Sequence, residues 1–308
     1  MQFPPVHILD FSQRGSAGWL EALDRACREW GCFQLVGHDL DGELCANVLS
    51  EMERFFALPH EDKLRIERTA DNPWGFYDRE LTKNVRDWKQ IFDIGPALDE
   101  VPFHGASTPW PGQLASFRGI MEAYYAASDS LALKLLGDIG ECLGVRRGTL
   151  EPEFGKGHSS FLRLNYYPPC ANPDQHLGIS HHTDAGALTV LLPDAQPGLQ
   201  FQIGKSWHTV TAEPGALIVN IGDIIQVWSN DAYRAPLHRV LANARHSRFS
   251  APFFLNPGYD TVYAPLASAL NDSEPRYRPI NWGQFPAGRA AGDYADAAPE
   301  IQISDFRC

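Results

Sequence analysis

Paired cysteines are what this chain most plainly lacks. Its six, Cys27, Cys32, Cys45, Cys142, Cys170 and Cys308, are scattered with no C-x-x-C pair, which excludes zinc-finger spacing and fits reduced thiols better than a disulfide framework. Positive charge is also short, because 26 Lys and Arg against 38 Asp and Glu leave a formal net charge of −12. Such a surface repels phosphate backbones and anionic lipid, so neither nucleic acid nor membrane is expected as a partner. No segment approaches the roughly 18 apolar residues of a bilayer span. Met1-Gln2-Phe3-Pro4-Pro5 has neither a basic n-region nor an apolar h-region, so a cytoplasmic protein is expected. No G-x-G-x-x-G opens a helix and no H-E-x-x-H occurs, against a dinucleotide-binding parallel sheet and a zincin-type hydrolase. No heptad pattern announces an interface, and a monomer is expected.

What is present describes one globular unit. The 308 residues are 44% hydrophobic and 21% charged, enough to bury a core without staples. The first half reads as largely helical. Trp19 to Trp30 has helical periodicity stopped by Gly31, and residues 42 to 57 put Leu44, Val48, Leu49, Met52, Phe55 and Phe56 on one face before Pro59. After Pro111 a longer helix carries Leu114, Phe117, Met121, Tyr124, Leu131, Leu135, Ile139 and Leu143 at three- and four-residue steps. Val6 to Phe11 and Cys32 to Val36 read as strands.

From Ser160 the texture changes to short runs divided by turn residues. They are Phe161 to Tyr167, Ala187 to Leu192, Leu199 to Ile203, Trp207 to Thr211, Ala216 to Asn220, Ile224 to Trp228, Leu237 to Leu241 and Arg248 to Leu255. About eight strands after a helical half predict a mixed α/β (α+β) single domain whose double-stranded β-helix, a cupin-like jelly roll, is buttressed by N-terminal helices. Residues 1–155 form the helical part, 156–260 the jelly-roll core with the site, and 261–308 a C-terminal segment.

The candidate chemistry begins with His182-Thr183-Asp184. In an extended segment the imidazole and the carboxylate leave one face and can meet one ion. His238, in a strand-like run well downstream, could be returned to them by strand pairing, and two histidines with one carboxylate make the facial triad of non-haem Fe(II) oxygenases. Its open positions suit a chelating 2-oxo acid and O2. Arg248 and Ser250 share a strand face and could grip the far carboxylate of such an acid, the guanidinium through two parallel bonds. Asn165 and Tyr167 share a face in the same way. His181 should point away from His182, and His181 and His176 read as rim or structural residues. His38, His60, His104, His158, His208 and His246 have no carboxylate at ligand spacing.

Arg163-Leu164-Asn165-Tyr166-Tyr167-Pro168-Pro169-Cys170, His181-His182-Thr183-Asp184, Leu188 to Leu192, Pro214 to Asp223, Ser229-Asn230, His238-Arg239-Val240 and Arg248-Phe249-Ser250 occur in this order. Cys27 to Phe33 and Asp87-Trp88-Lys89 add matching features upstream. Together they resemble the Fe(II)- and 2-oxoglutarate-dependent dioxygenases of the isopenicillin N synthase-like superfamily over nearly the whole chain. The resemblance implies that His182, Asp184 and His238 bind iron, and that Arg248 and Ser250, assisted by Tyr167 and Asn165, hold the distal carboxylate of 2-oxoglutarate. It implies an oxidoreductase of the kind found in secondary metabolism. Such an enzyme hydroxylates, desaturates or cyclises a small organic molecule with O2, releasing succinate and CO2, with ascorbate as an accessory reductant.

Features shared with isopenicillin N synthase itself and with aminocyclopropane carboxylate oxidase keep a 2-oxoglutarate-independent oxidase as the alternative. The intact Asn165-x-Tyr167 beside Arg248-x-Ser250 favours 2-oxoglutarate. A zinc hydrolase and a non-enzymatic cupin-like binder are weaker rivals. For the substrate, the resemblance places Arg163 and Phe254 nearby, suggesting an anionic or polar handle on an otherwise apolar molecule. Trp74 and Tyr77, in Trp74-Gly75-Phe76-Tyr77, read as a loop that either lids the barrel mouth or packs ordinarily. The tail from Asp293 to Phe306 either folds over the mouth or trails.

Overall fold

The computed structural model describes residues 5–82, 85–97, 105–155, 157–270, 273–285 and 301–308. In chain order the N-terminal half gives β1 (Ile8–Asp10), α1 (Trp19–Glu29), β2 (Cys32–Val36), α2 (Gly42–Phe56), α3 (His60–Leu64), β3 (Gly75–Tyr77), β4 (Leu81–Thr82), β5 (Val85–Arg86), β6 (Gln90–Ile94) and α4 (Phe117–Cys142). The rest gives β7 (Phe161–Tyr167), β8 (Leu177–His182), β9 (Leu188–Pro193), β10 (Leu199–Ile203), β11 (Ser206–Thr209), β12 (Leu217–Ile221), α5 (Asp223–Trp228), β13 (His238–Leu241), β14 (Arg248–Leu255), β15 (Val262–Tyr263), α6 (Ala267–Leu270) and β16 (Ile280–Asn281).

Eight strands form the larger sheet, in the order β1-β2-β12-β9-β14-β7-β6-β3, and four form the smaller, β11-β10-β13-β8. Apart from the parallel β1–β2 edge, the pairings in both sheets are antiparallel. Between the sheets lies a buried cluster of Trp30, Cys32, Tyr167, Leu199, Phe201, Val210, Ile218 and Val240, side chains drawn from both. The opposite face of the larger sheet is covered by α2 and α4, where Val190, Phe253 and Leu255 join Phe55, Met121, Tyr124 and Leu135 in the main core. The jelly roll expected from the sequence is therefore present.

Two covered faces explain the strand sequences, because a strand buried on both sides loses the simple alternation of apolar and polar residues. On β7, Leu162 and Leu164 are fully buried in the main core, and Tyr166 stacks between Phe56 and Phe249 at ring centroid distances of 5.3 and 5.1 Å. The other parity, Phe161, Arg163, Asn165 and Tyr167, turns into the barrel. β14 repeats this: Phe249, Ala251, Phe253 and Leu255 pack outward, while Arg248, Ser250 and Phe254 face β7 residues Tyr167, Asn165 and Phe161 in register.

The structure corrects three details. Ile224 to Trp228, expected as a strand, is the helix α5; a short continuous apolar run reads the same either way, and here all of Ile224, Ile225, Val227 and Trp228 are buried. Leu177–His182, not among the expected runs, is a strand. Besides the expected strands β1 and β2, the helical first half supplies β3 and β6 to the larger sheet, so Trp74-Gly75-Phe76-Tyr77 is an edge strand and its lead-in rather than a loop. Of the tail, Asp293 to Glu300 lie outside the described residues, as does His104. Arg307 donates to Asp231 Oδ2 at 2.8 Å, so the terminal residues return to the turn that precedes β13.

The longest helix contains a charge that its apolar periodicity hides. Asp138 of α4 is fully buried and accepts from Trp19 Nε1 at 2.8 Å, from Arg14 Nε and Nη2 at 2.7 and 3.0 Å, and from Arg147. It ties α1 and the approach to it onto α4. Asp138→Ala would leave these donors without an acceptor, and since both arginines reach solvent the cost should lie at the low end for a broken buried pair, about 3 kcal/mol. Urea unfolding should show that loss.

Candidate active site

Strand register assembles the site. β13 pairs antiparallel with β8 so that His238 stands directly opposite His182, and the two ring centroids are 4.2 Å apart. β8 ends at His182, so Asp184 sits in the turn beyond it rather than on an extended strand. That turn is fixed by its backbone: Asp223 N donates to Asp184 O, and Gly222 N to Ala187 O, both at 2.8 Å. The approach is close enough to demand glycine, since a Cβ on Gly222 would lie 2.1 Å from Gly186 O and 2.8 Å from Asp184 O. Ligand atoms of His182, Asp184 and His238 lie within 4.8 Å of one another.

The hydrogen bonds decide which atoms point inward. His182 Nδ1 is 2.8 Å from Ser180 O and His238 Nδ1 is 3.1 Å from Pro236 O; a carbonyl only accepts, so each Nδ1 carries the proton and each Nε2 keeps its lone pair. Both Nε2 atoms are 3.6 Å from Asp184 Oδ1. Asp184 Oδ2 is occupied instead, accepting from Thr189 Oγ1 at 2.5 Å and Asn220 Nδ2 at 2.8 Å. One oxygen and two imidazole nitrogens thus converge, the donor set of a facial triad. Burial, then the neighbouring His238, pushes the His182 imidazole well below its usual value, keeping it in the neutral, ligating form. Burial alone would raise Asp184, yet His238 and His182, with the bonds from Thr189 and Asn220, hold its carboxyl below the usual carboxylate range.

The second polar group stands on β14 and β7. Arg248 is 3% exposed, its guanidinium carbon lies 5.0 Å from the Tyr167 ring centroid, and neither Nε nor Nη1 has a hydrogen-bond partner among the described residues. Ser250, 1% exposed, lies two pairs further along the ladder opposite Asn165, whose Nδ2 is 3.5 Å from its hydroxyl. A buried guanidinium left unanswered is costly, and a carboxylate presented to its fork would resolve that cost. The Arg248, Ser250, Tyr167 and Asn165 expected from the sequence are therefore brought together.

A cavity of about 740 Å³ opens beside the cluster, within the size range of small-molecule sites. His182 and Asp184 line it, as do all four residues expected near a substrate: Arg163, Phe254, Trp74 and Tyr77. Phe161 stacks on Phe254 at 4.7 Å and packs against Trp74 at 5.9 Å, making an aromatic wall. His181 is exposed, and His176 packs on Trp88 at 5.1 Å, outside the cluster. His60, which has no carboxylate at ligand spacing in the sequence, meets one through the fold, Asp78 at 2.8 Å.

The sequence reading assigned no role to Thr189 or Asn220, which orient Asp184, nor to Arg68, Glu80, Lys89 and Asp93, which form an ion network with Arg163. For Asn220 a signal existed, since a buried amide in the run Leu217-Ile218-Val219-Asn220-Ile221 needs a partner. For Glu80 there was none, because its partners are spread from Arg68 to Arg163.

Comparison with known proteins agrees with this geometry. Residues 158–257 match the profile of the 2OG-Fe(II) oxygenase superfamily, and residues 6–113 match that of the non-haem dioxygenase in morphine synthesis N-terminal family. Jasmonate-induced oxygenase 4 from Arabidopsis thaliana is 34% identical over 289 residues, covering 91% of this chain and 80% of that protein. Flavanone 3-dioxygenase 2 from Oryza sativa subsp. japonica is 32% identical over 287 residues, covering 91% and 82%. The crystal structure of JOX2 in complex with 2OG, Fe and JA superposes with a TM-score of 0.86 at 28% identity, over 99% of this chain and 90% of that one. The chain therefore belongs to the 2OG-Fe(II) oxygenase superfamily, as an iron- and 2-oxoglutarate-dependent dioxygenase with a jelly-roll core.

Proposed function

We propose that His182, Asp184 and His238 hold Fe(II), that Arg248 and Ser250, with Tyr167 and Asn165, hold the distal carboxylate of 2-oxoglutarate, and that the adjoining cavity takes a small organic substrate. The observation that carries this reading is the buried Arg248 guanidinium, with Nε and Nη1 unanswered, in the barrel that holds the His-Asp-His cluster. A metal cluster alone fits several chemistries, whereas a cluster with a buried carboxylate receptor fits a chelating dicarboxylate. Relatives named for flavanone and gibberellin oxygenation support a small organic molecule as substrate, and the net charge of −12 supports it over nucleic acid or an anionic membrane surface. Six free cysteines support a reducing, cytoplasmic setting. No helix among the described residues is long and apolar enough to cross a membrane.

Iron and the 2-oxo acid, when bound, supply the activation of O2 that oxidises one C–H bond of the substrate, with succinate and CO2 as co-products. The protein supplies position. Ser180 and Pro236 fix the imidazole tautomers, and Thr189 and Asn220 occupy one oxygen of Asp184 so that the other faces the histidines. Trp74, Phe161 and Phe254 exclude water from the substrate side and hold the substrate against the cluster, which is orientation rather than acid–base work. Hydroxylation, desaturation and ring closure are all open to this arrangement.

Anaerobic addition of Fe(II) and 2-oxoglutarate should give a visible metal-to-ligand charge-transfer band. His182→Ala should abolish it, and Arg248→Ala should raise the 2-oxoglutarate concentration needed by about 100-fold, the effect of removing one partner of a buried charged pair at its lower end. Iron binding with no band in the wild-type protein would reject the 2-oxoglutarate site. Asn220→Ala and Thr189→Val should each weaken Fe(II) affinity by about 10- to 100-fold, the usual effect of losing a bond that orients a ligand. Metal titration of the variants checks this independently of turnover.

A further inference from the structure

Two guanidinium groups, Arg68 and Arg163, line the cavity among the described residues, and both are already engaged by carboxylates. Arg163 lies directly opposite Asp93 in the β6–β7 ladder. Its Nε and Nη2 donate to the two oxygens of Asp93 at 2.7 and 2.8 Å, and its Nη1 donates to Glu80 Oε2 at 3.1 Å. Arg68 lies over the Tyr77 ring, 3.8 Å from its centroid, with Nη1 3.4 Å from Glu80 Oε1 and 3.7 Å from Asp93 Oδ2. Behind them the buried Lys89 ammonium sits 2.7 Å from Glu80 Oε2 and 3.3 Å from Asp87 Oδ2. Three cations thus face three carboxylates. Burial would push Glu80 up, but Arg163, Lys89 and Arg68 together outweigh it and hold its carboxyl far below the usual range.

Resting on the reading of this cavity as the substrate site, we propose that it selects an uncharged, ring-bearing molecule with a hydroxyl or N–H donor and discriminates against carboxylates. A substrate carboxylate could reach Arg163 only by displacing Asp93, and Asp93 is 3% exposed, so it would be left buried without its bidentate partner; at Arg68 it would be set beside the Glu80 and Asp93 carboxylates that already face that guanidinium. A substrate ammonium would add a fourth cation to a matched set. A neutral donor disturbs neither balance, because a carboxylate has about four lone-pair sites and these oxygens can accept one bond more. The aromatic wall of Trp74, Phe161 and Phe254 supplies the surface for the ring system. The arginine that the sequence suggested as an anion's handle is therefore a specificity residue of the opposite kind: it is the counterion of Asp93.

Matched pairs of aromatic and alicyclic carboxylic acids and their primary amides, nearly equal in shape, test this. Equilibrium dialysis against the protein loaded anaerobically with Fe(II) and 2-oxoglutarate should show each amide that binds held at least about tenfold more tightly than its acid, a difference of ~1.4 kcal/mol. Glu80→Gln combined with Asp93→Asn should release the guanidinium groups and shift the ratio towards the acids. Acids bound as tightly as amides by the wild-type protein would overturn the proposal, as would the failure of every amide to bind at millimolar concentration. The wild-type ratio decides by itself if the double variant does not fold. The charge-transfer band recorded in the same samples separates the two readings, since its absence counts against the cofactor assignment while the amide-to-acid ratio judges selectivity.

Discussion

The antiparallel pairing of β8 with β13 is the contact on which the rest of the site depends. It joins residues far apart in sequence and does so in a register that sets His182 opposite His238. A one-residue slip would turn either imidazole to the other face of the sheet. Much of the fold enforces that register. β10 pairs with the far side of β13, placing Phe201 opposite His238 with the two rings 5.4 Å apart. On the other flank, Asp87 accepts from Ser180 N at 3.1 Å, and the carbonyl of the same residue holds the His182 ring.

Polar groups in the barrel form three sets with different logic. Around Asp184 the bonds are asymmetric, with one oxygen occupied and the other left to the histidines, which prepares a place for a cation. At Arg248 the asymmetry has the opposite sign, a cation whose fork is not satisfied by the protein. The Arg163 guanidinium is closed, with all three of its nitrogens donating to Asp93 and Glu80. A site that leaves some charges open and closes others states in its geometry which charged partners it is built to receive.

Much of this was legible in the sequence. Strand parity alone paired Arg248 with Ser250 and Asn165 with Tyr167, and the ladder sets the two pairs face to face. The periodicity of α2 and α4 identified their buried faces. Run length and polarity could not distinguish α5 from a strand, because Asp223–Trp228 is buried nearly all round and shows no preferred face. The contribution of β3 and β6 to the larger sheet was hidden for another reason: the pairing of β3 with β6, and of β6 with β7, is a property of the assembled barrel. Asp138 was masked by the apolar residues around it, since periodicity identifies a buried face without showing which polar side chains that face can neutralise.

The seam between β6 and β7 divides the molecule in a way that bears on its variation. The His-Asp-His cluster comes from residues 182–238, and the group around Arg248 from residues 165–250. The cavity wall takes its carboxylates from Glu80 and Asp93 and its aromatic edge partly from Trp74, all in the N-terminal half. The cavity wall therefore draws on both halves of the chain, Trp74, Glu80 and Asp93 from the first and Phe161, Arg163 and Phe254 from the second, which meet across one ladder of backbone hydrogen bonds. Under the proposed selectivity, a change confined to Glu80 or Asp93 would alter which molecules the cavity holds and leave the cluster of residues 182–238 intact, whereas a change at Asp87, a few residues away, would reach His182 through Ser180.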